Sequence, residues 1–153
     1  VFADQLTTVS PRYAQEIQTP EYGFGLDGFL RARAESLSGI LNGCDYDEWN
    51  AATDKHLPAN YTVGDLSGKL ECKRALLAEF GMEARLERPL LGIVSRLVHQ
   101  KGFDLLGPLL DEMLGWRDLS LIVLGSGEES VENMFWHFAG KYRDRMVFWQ
   151  GYN

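Results

Sequence analysis

Val94-Ser95-Arg96-Leu97-Val98-His99-Gln100-Lys101-Gly102 decides how this chain is read. Just upstream, Pro89-Leu90-Leu91-Gly92-Ile93-Val94 is a short apolar run of the kind that forms a buried strand. Just downstream, Phe103-Asp104-Leu105-Leu106 opens a helical pattern. Arg96 and Lys101 therefore stand in a loop at the carboxyl end of a strand, the edge at which open α/β sheets bind ligands. A guanidinium offers a pyrophosphate forked hydrogen bonds, and an ammonium offers it a mobile point charge. Two such charges also suit an exposed, solvated loop, and an R-x4-K-G spacing alone does not separate the two readings.

Toward the C-terminus the pattern repeats. A helix is expected from about Phe103 to Leu114, with Leu105, Leu106, Leu109, Leu110, Met113 and Leu114 as its apolar face. Leu119 to Leu124 is a continuous apolar strand, and Gly125-Ser126-Gly127-Glu128 is a tight glycine turn. Those glycines either tighten the turn or admit a ligand closely. Glu129 to Tyr142 reads as a helix with Val131, Met134, Phe135 and Phe138 inward, and Arg145 to Trp149 as a third strand. Residues 90–149 thus read β-α-β-α-β, half of a doubly wound parallel sheet.

Toward the N-terminus, Asp65 to Phe80 is the clearest helix, with Leu66, Leu70, Lys73, Leu77 and Phe80 at three- and four-residue steps, Ala75 and Leu76 widening the face, and Gly81 as its C-terminal cap. Gly68 inside it should cost ~1 kcal/mol against alanine. Glu83 to Arg88 is a charged connector. The polar stretch from Asp45 through Thr62 has little period. A loop of about 18 residues in a compact domain is either functional or a crossing between domains, and we read it as the linker after a hinge. Leu37 to Leu41 reads as a strand ending in an Asn42-Gly43 turn. Asp27 to Ser36 reads as a helix with Asp27 as N-cap, and Asp4 to Val9 as a strand. Ser10-Pro11 starts a helix running to about Gln18. Gly23-Phe24-Gly25-Leu26-Asp27-Gly28 fits GxGxxG formally, but no apolar strand precedes it, so it is read as a turn.

Composition narrows the function classes. The chain has 153 residues, 45% hydrophobic and 24% charged, which suits a globular domain rather than a disordered segment. A net charge of −7 argues against nonspecific binding to nucleic acid or to an anionic membrane. No apolar run reaches membrane-spanning length, and no signal peptide is evident. Cys44 and Cys72 form neither a disulfide framework nor a CxxC motif, and read as thiols in a reducing cytoplasm. His56, His99 and His137 have no metal-ligand spacing. Neither end has the polar character of a domain terminus, so a piece of a longer protein is expected.

Several motifs together resemble bacterial glycogen synthases and plant starch synthases. They are Val9 to Ile17 (VSPRYAQEI), Gly39 to Asn50 (GILNGCDYDEWN), the helix Lys69 to Gly81, Ser95 to Leu106 (SRLVHQKGFDLL), Leu124 to Glu128 (LGSGE) and Gln150 to Asn153 (QGYN). They occur in order along nearly the whole chain. The resemblance implies a GT-B glycosyltransferase, an α/β fold of two Rossmann-like domains around a cleft. Residues 1-42 would be the C-terminal tail of the acceptor-side domain. Residues 43-153 would be the first half of the nucleotide-sugar donor-binding domain.

The implied reaction is retaining transfer of glucose from ADP-glucose to the non-reducing end of an α-1,4-glucan, as in glycogen biosynthesis. By matching position, Arg96 and Lys101 would hold the nucleotide's phosphates and Asn42 would lie near the transferred sugar. Gly151 and Tyr152 would sit beside the base. Asn42 also suits a plain Asn-Gly turn. No metal or other cofactor is implied, since two side chains would take the charge of the leaving diphosphate. The expected partners are ADP-glucose and the glucan, with no nucleic acid and no membrane. The family's lysine-glycine-glycine motif and its glutamate-bearing EPCGL-type motif are absent from these residues, so the isolated piece is expected to be inactive. Two other readings stay open: a GT-B glucosyltransferase using UDP-glucose on a small acceptor, and a non-catalytic nucleotide-binding module.

Overall fold

The computed structural model describes residues 3–151. The chain forms two compact units, Val1–Asn50 and Ala51–Asn153.

The first unit holds two parallel strands, β1 (Leu6–Val9) and β2 (Leu37–Ile40), paired from Leu6↔Leu37 to Val9↔Ile40. Between them run α1 (Pro11–Glu16), α2 (Asp27–Ala32) and one 3-10 turn at Ala34–Ser36. Ser10 caps α1 as its sequence implies: its Oγ accepts from the Tyr13 N–H at 3.1 Å, and Pro11 follows at the first helical position. Asp27, expected as the N-cap of α2, lies one residue inside the helix instead. Leu26 holds the cap position with no side-chain bond, while Asp27 pairs with Arg31 one turn on at 2.8 Å. The GxGxxG segment is a turn over 23–26, with Phe24 and Gly25 both at positive φ, whose last two residues, Asp27 and Gly28, already belong to α2.

The second unit is built on a three-stranded parallel sheet in the order β3 (Leu90–Val94), β4 (Ser120–Gly125), β5 (Met146–Gln150). The crossover helices α4 (Phe103–Trp116) and α5 (Glu129–Lys141) pack on one face. There Leu97, Phe103, Leu110, Leu114, Leu121, Val123, Phe135, Met146 and Phe148 form the main core. A third helix, α3 (Ser67–Glu79), packs on the other face, where Leu77, Met82 and Ile122 are buried. Alternate residues of β4 serve the two cores, which is why 119–124 reads as an unbroken apolar run.

Three expectations change. β3 was expected to be buried but is an edge strand, paired only with β4 among the described residues, and its Leu91 and Val94 are exposed. On α4, Leu105 and Leu109 are exposed, and the row Phe103, Leu106, Leu110, Leu114 faces the sheet. On α3, Leu66, Leu70 and Leu76 are exposed, and Leu77 carries the packing. Lys73, counted in that apolar stripe, instead donates its ammonium to the carbonyls of Leu86 (2.7 Å) and Arg88, fastening the connector before β3.

Residues 51–66 contain neither helix nor strand, yet they are tied to α3. Asn60 Nδ2 donates to the carbonyls of Ala51 (3.0 Å) and Asp54 (2.8 Å), and Cys72 Sγ donates to that of Ala59. Gly68 is buried beneath this loop: a Cβ there would overlap the Asn60 carbonyl oxygen and stand 3.2 Å from that of Ala59. The helix-weakening glycine is therefore the residue that lets loop and helix meet. Gly81 caps α3 with φ +66, as expected.

Candidate functional site

The three parallel strands end together, and their C-terminal edge carries a cavity of about 380 Å³. It is lined by Val94, Ser95, Arg96, Lys101, Leu124, Gly125 and Gly151. Its volume falls within the range of small-molecule sites. Of the residues singled out from sequence, Arg96, Lys101 and Gly151 meet here. Asn42 is an exposed residue of the first unit, following β2. Tyr152 lies outside the described residues.

The loop from Val94 to Gly102 reaches the cavity because its backbone continues alongside the loop after β4. Ser95 N donates to Leu124 O (3.2 Å), Leu97 N to Ser126 O (2.9 Å), and Glu128 N to Leu97 O (2.7 Å). Leu97 and Gly127 form an isolated parallel bridge, so the two loops extend the sheet past its last regular pair. Leu97 itself is fully buried and anchors the loop to the main core. Arg96, just before that anchor, is left exposed at the surface.

This close approach requires glycine at two places. A Cβ on Gly125 would overlap the Ser95 carbonyl oxygen and come within 3.2 Å of the Leu97 side chain. A Cβ on Gly127 would overlap the Leu97 carbonyl oxygen, with the Leu97 carbonyl carbon at 2.7 Å and its nitrogen at 2.9 Å. Both glycines thus make room for the loop that bears Arg96. Gly151 N donates to Gly125 O at 3.2 Å, which brings the end of β5 to the same edge.

Lys101 ends a 3-10 turn, His99–Lys101, that closes with Gly102 in the left-handed region at φ +75. That conformation suits glycine and redirects the chain into α4 at Phe103. Neither the Arg96 guanidinium nor the Lys101 ammonium has an ion-pair partner among the described residues, and both are exposed. Two uncompensated cations on a concave edge fit a ligand carrying concentrated negative charge, such as a diphosphate. Among the described residues no group of three His, Cys, Asp or Glu could hold a metal ion.

Three site-supporting residues were not singled out from sequence. Glu128 Oε1 accepts from the His99 N–H at 3.0 Å. Glu132 accepts from the Gly127 N–H (2.8 Å) and from Gln150 Nε2 (2.6 Å), and Gln150 Oε1 accepts from Trp136 Nε1 (3.3 Å). The sequence offered Glu128 and Gln150 only as members of LGSGE and QGYN, and the amide that Glu128 accepts from lies 29 residues away.

The sequence and the fold are similar to those of known proteins. Residues 1–32 match the family described as the starch synthase catalytic domain. A glycogen synthase from Anaeromyxobacter sp. (strain Fw109-5) is 53% identical over 147 residues, 96% of this chain and 31% of that protein. Glycogen synthase 1 from Geobacter sulfurreducens is 48% identical over 151 residues, 99% of this chain and 30% of that protein. The solved catalytic domain of starch synthase IV from Arabidopsis thaliana, bound to ADP and acarbose, matches with a TM-score of 0.89 and 37% identity. That match covers 99% of this chain and 31% of the solved one. The α/β architecture is therefore of GT-B type. The chain belongs to the bacterial glycogen synthase and starch synthase family, and it spans about three tenths of the length of the relatives it matches.

Proposed function

We propose that the full-length protein carrying this chain transfers glucose from ADP-glucose to the non-reducing end of an α-1,4-glucan, with retention of configuration. The observation that carries this reading is the cavity at the strand ends, where Arg96 and Lys101 converge without carboxylate partners among the described residues. Breaking the glucosyl bond builds negative charge on the departing diphosphate. Cations aimed at that charge stabilise the transition state more than the ground state, so they raise the rate rather than merely tighten binding. Arg96 contributes paired N–H donors and Lys101 a point charge. With two positive groups at the leaving group, this reading requires no metal ion.

In this reading residues 1-42 close the acceptor-side domain and residues 43-153 begin the donor-binding domain. By the resemblance, Asn42 is assigned to the transferred sugar, and Gly151 and Tyr152 to the base. ADP is favoured over UDP because the solved starch synthase relative is an ADP complex. The enzyme works in the cytoplasm, where Cys44 and Cys72 stay reduced. Among the described residues no helix is long and apolar enough to cross a membrane. The test is incorporation of labelled glucose into glycogen by the full-length protein, with ADP-glucose and UDP-glucose offered separately and EDTA present in a parallel series. Incorporation that prefers ADP-glucose and survives EDTA is expected. A folded full-length protein that uses neither donor would refute the proposal.

A further inference from the structure

The first N–H of a short helical turn has no partner within the turn. In the turn that carries Lys101, that N–H belongs to His99. Farther along the turn, Lys101 N donates to Val98 O (2.9 Å) and Gly102 N to His99 O (2.9 Å). The His99 N–H is met from 29 residues away by Glu128 Oε1 at 3.0 Å.

Glu128 holds the N-cap position of α5, where an acidic side chain would ordinarily fold back onto its own helix. It does not: its carboxylate makes no capping bond to α5 and crosses to the cation loop instead. Its own N–H also donates to Leu97 O at 2.7 Å. One residue therefore grips the Arg96–Lys101 loop at both ends, by its amide beside Arg96 and by its carboxylate two residues before Lys101. A free carboxylate beside a phosphate site would repel the ligand. Held on the His99 amide, the carboxylate is directed onto the loop backbone and braces it.

We propose that Glu128 is a positioning residue for diphosphate binding, holding the His99–Lys101 turn so that the Lys101 ammonium meets the phosphates. This rests on the reading that Lys101 holds those phosphates, and the test separates the two. ADP and adenosine binding would be titrated calorimetrically on the full-length protein, with Lys101→Ala, Glu128→Ala, Glu128→Gln and Glu128→Asp alongside. Gln keeps the acceptor and drops the charge. Asp keeps the charge and helix-capping ability but is one methylene too short to reach His99.

Glu128→Ala and Glu128→Asp should bind ADP roughly tenfold more weakly, as for loss of one charge-assisted contact, with adenosine affinity unchanged. Glu128→Gln should stay within about twofold of the parent, because the amide oxygen still accepts. If Lys101→Ala weakens ADP while Glu128→Ala does not, the positioning role is overturned and the phosphate reading stands. Equal losses for ADP and adenosine in Glu128→Ala would also overturn it, since a general structural defect is not selective for phosphate. If Lys101→Ala leaves ADP binding intact, both ideas fall. Should Glu128→Ala not fold, the Gln and Asp variants decide: Asp weak with Gln intact supports the proposal, and any other pairing overturns it.

Discussion

Gly127→Ala adds one methyl group, changes no charge and lies outside any helix, yet it should damage the site more than most surface substitutions. The new Cβ would overlap the Leu97 carbonyl oxygen and stand 2.7 Å from the carbonyl carbon. Both are backbone atoms of a fully buried residue, so no flexible side chain can yield. Restoring van der Waals distance requires the two loops to part by roughly 1 Å. That opens the bonds Leu97 N→Ser126 O (2.9 Å) and Glu128 N→Leu97 O (2.7 Å). Two backbone hydrogen bonds at ~1 kcal/mol each, with overpacking strain of ~1–2 kcal/mol, give a loss of about 3–4 kcal/mol. Arg96 precedes Leu97 directly, so ADP affinity should fall with stability. The assay is thermal unfolding and ADP titration of the full-length protein. Gly140→Ala in α5 is the control, because a Cβ there meets nothing within 4 Å and alanine should be neutral or stabilising by ~0.5–1 kcal/mol. A Gly127→Ala protein with parental melting temperature and parental ADP affinity would refute the claim that glycine is needed for the loops to approach.

Gly68→Ala should reverse the usual helix preference: the gain of ~1 kcal/mol from alanine is outweighed by overlap with the Asn60 carbonyl, and chemical denaturation should show a net loss of about 1–3 kcal/mol. The Asp111 carboxylate accepts from Lys141 Nζ (2.6 Å) and Tyr142 Oη (2.8 Å), joining α4 to the end of α5. The Lys141 bond, then the Tyr142 bond, hold the Asp111 carboxyl below its usual 3.8, so this link stabilises above that value and is lost as pH falls through the lowered one. The Lys141 ammonium is held above its usual range chiefly by Asp111, so its share persists below that range and is lost as strongly alkaline pH deprotonates it. The melting temperature of Asp111→Ala should therefore lie below the parent's at neutral pH and converge with it at strongly acidic pH. Equal spacing at every pH would contradict the link. Arg88 is buried, with Nε 2.8 Å from Asp118 Oδ1 but not aligned for a hydrogen bond. Arg88→Met should cost less than Asp118→Ala in a melting series, since removing the charge removes the need for a partner.

The β-α-β-α-β order was legible because β4 is covered on both faces and the helices keep a clear period; strand ends fell within a residue of expectation, as with 145–149 against Met146–Gln150. Which leucines face the sheet was less legible. On α4 the periodic pattern marks a broad apolar stripe, but Leu105 lies about 100° round the helix from Leu106, and packing on the sheet takes only one row. Arg96 and Lys101 were picked out by the strand–loop–helix pattern around them and by the resemblance of Ser95 to Leu106 to the glycogen and starch synthases, since their spacing alone also suits a solvated loop. Glu128 and Glu132 did not, because a glutamate in a loop looks like solvated charge until the distant amide it accepts from is in view. Gly125, Gly127 and Gly68 were visible as glycines, but the backbone that each admits comes from another part of the chain.

The most direct test of the account is the rate of glucose transfer from ADP-glucose to glycogen by the full-length protein with Arg96→Ala and Lys101→Ala. If both cations stabilise the leaving diphosphate, each substitution should lower kcat by about 10²-fold or more while the protein still folds. A variant that lost only affinity, with kcat preserved at saturating ADP-glucose, would contradict the catalytic role of the cavity and leave it a binding site alone.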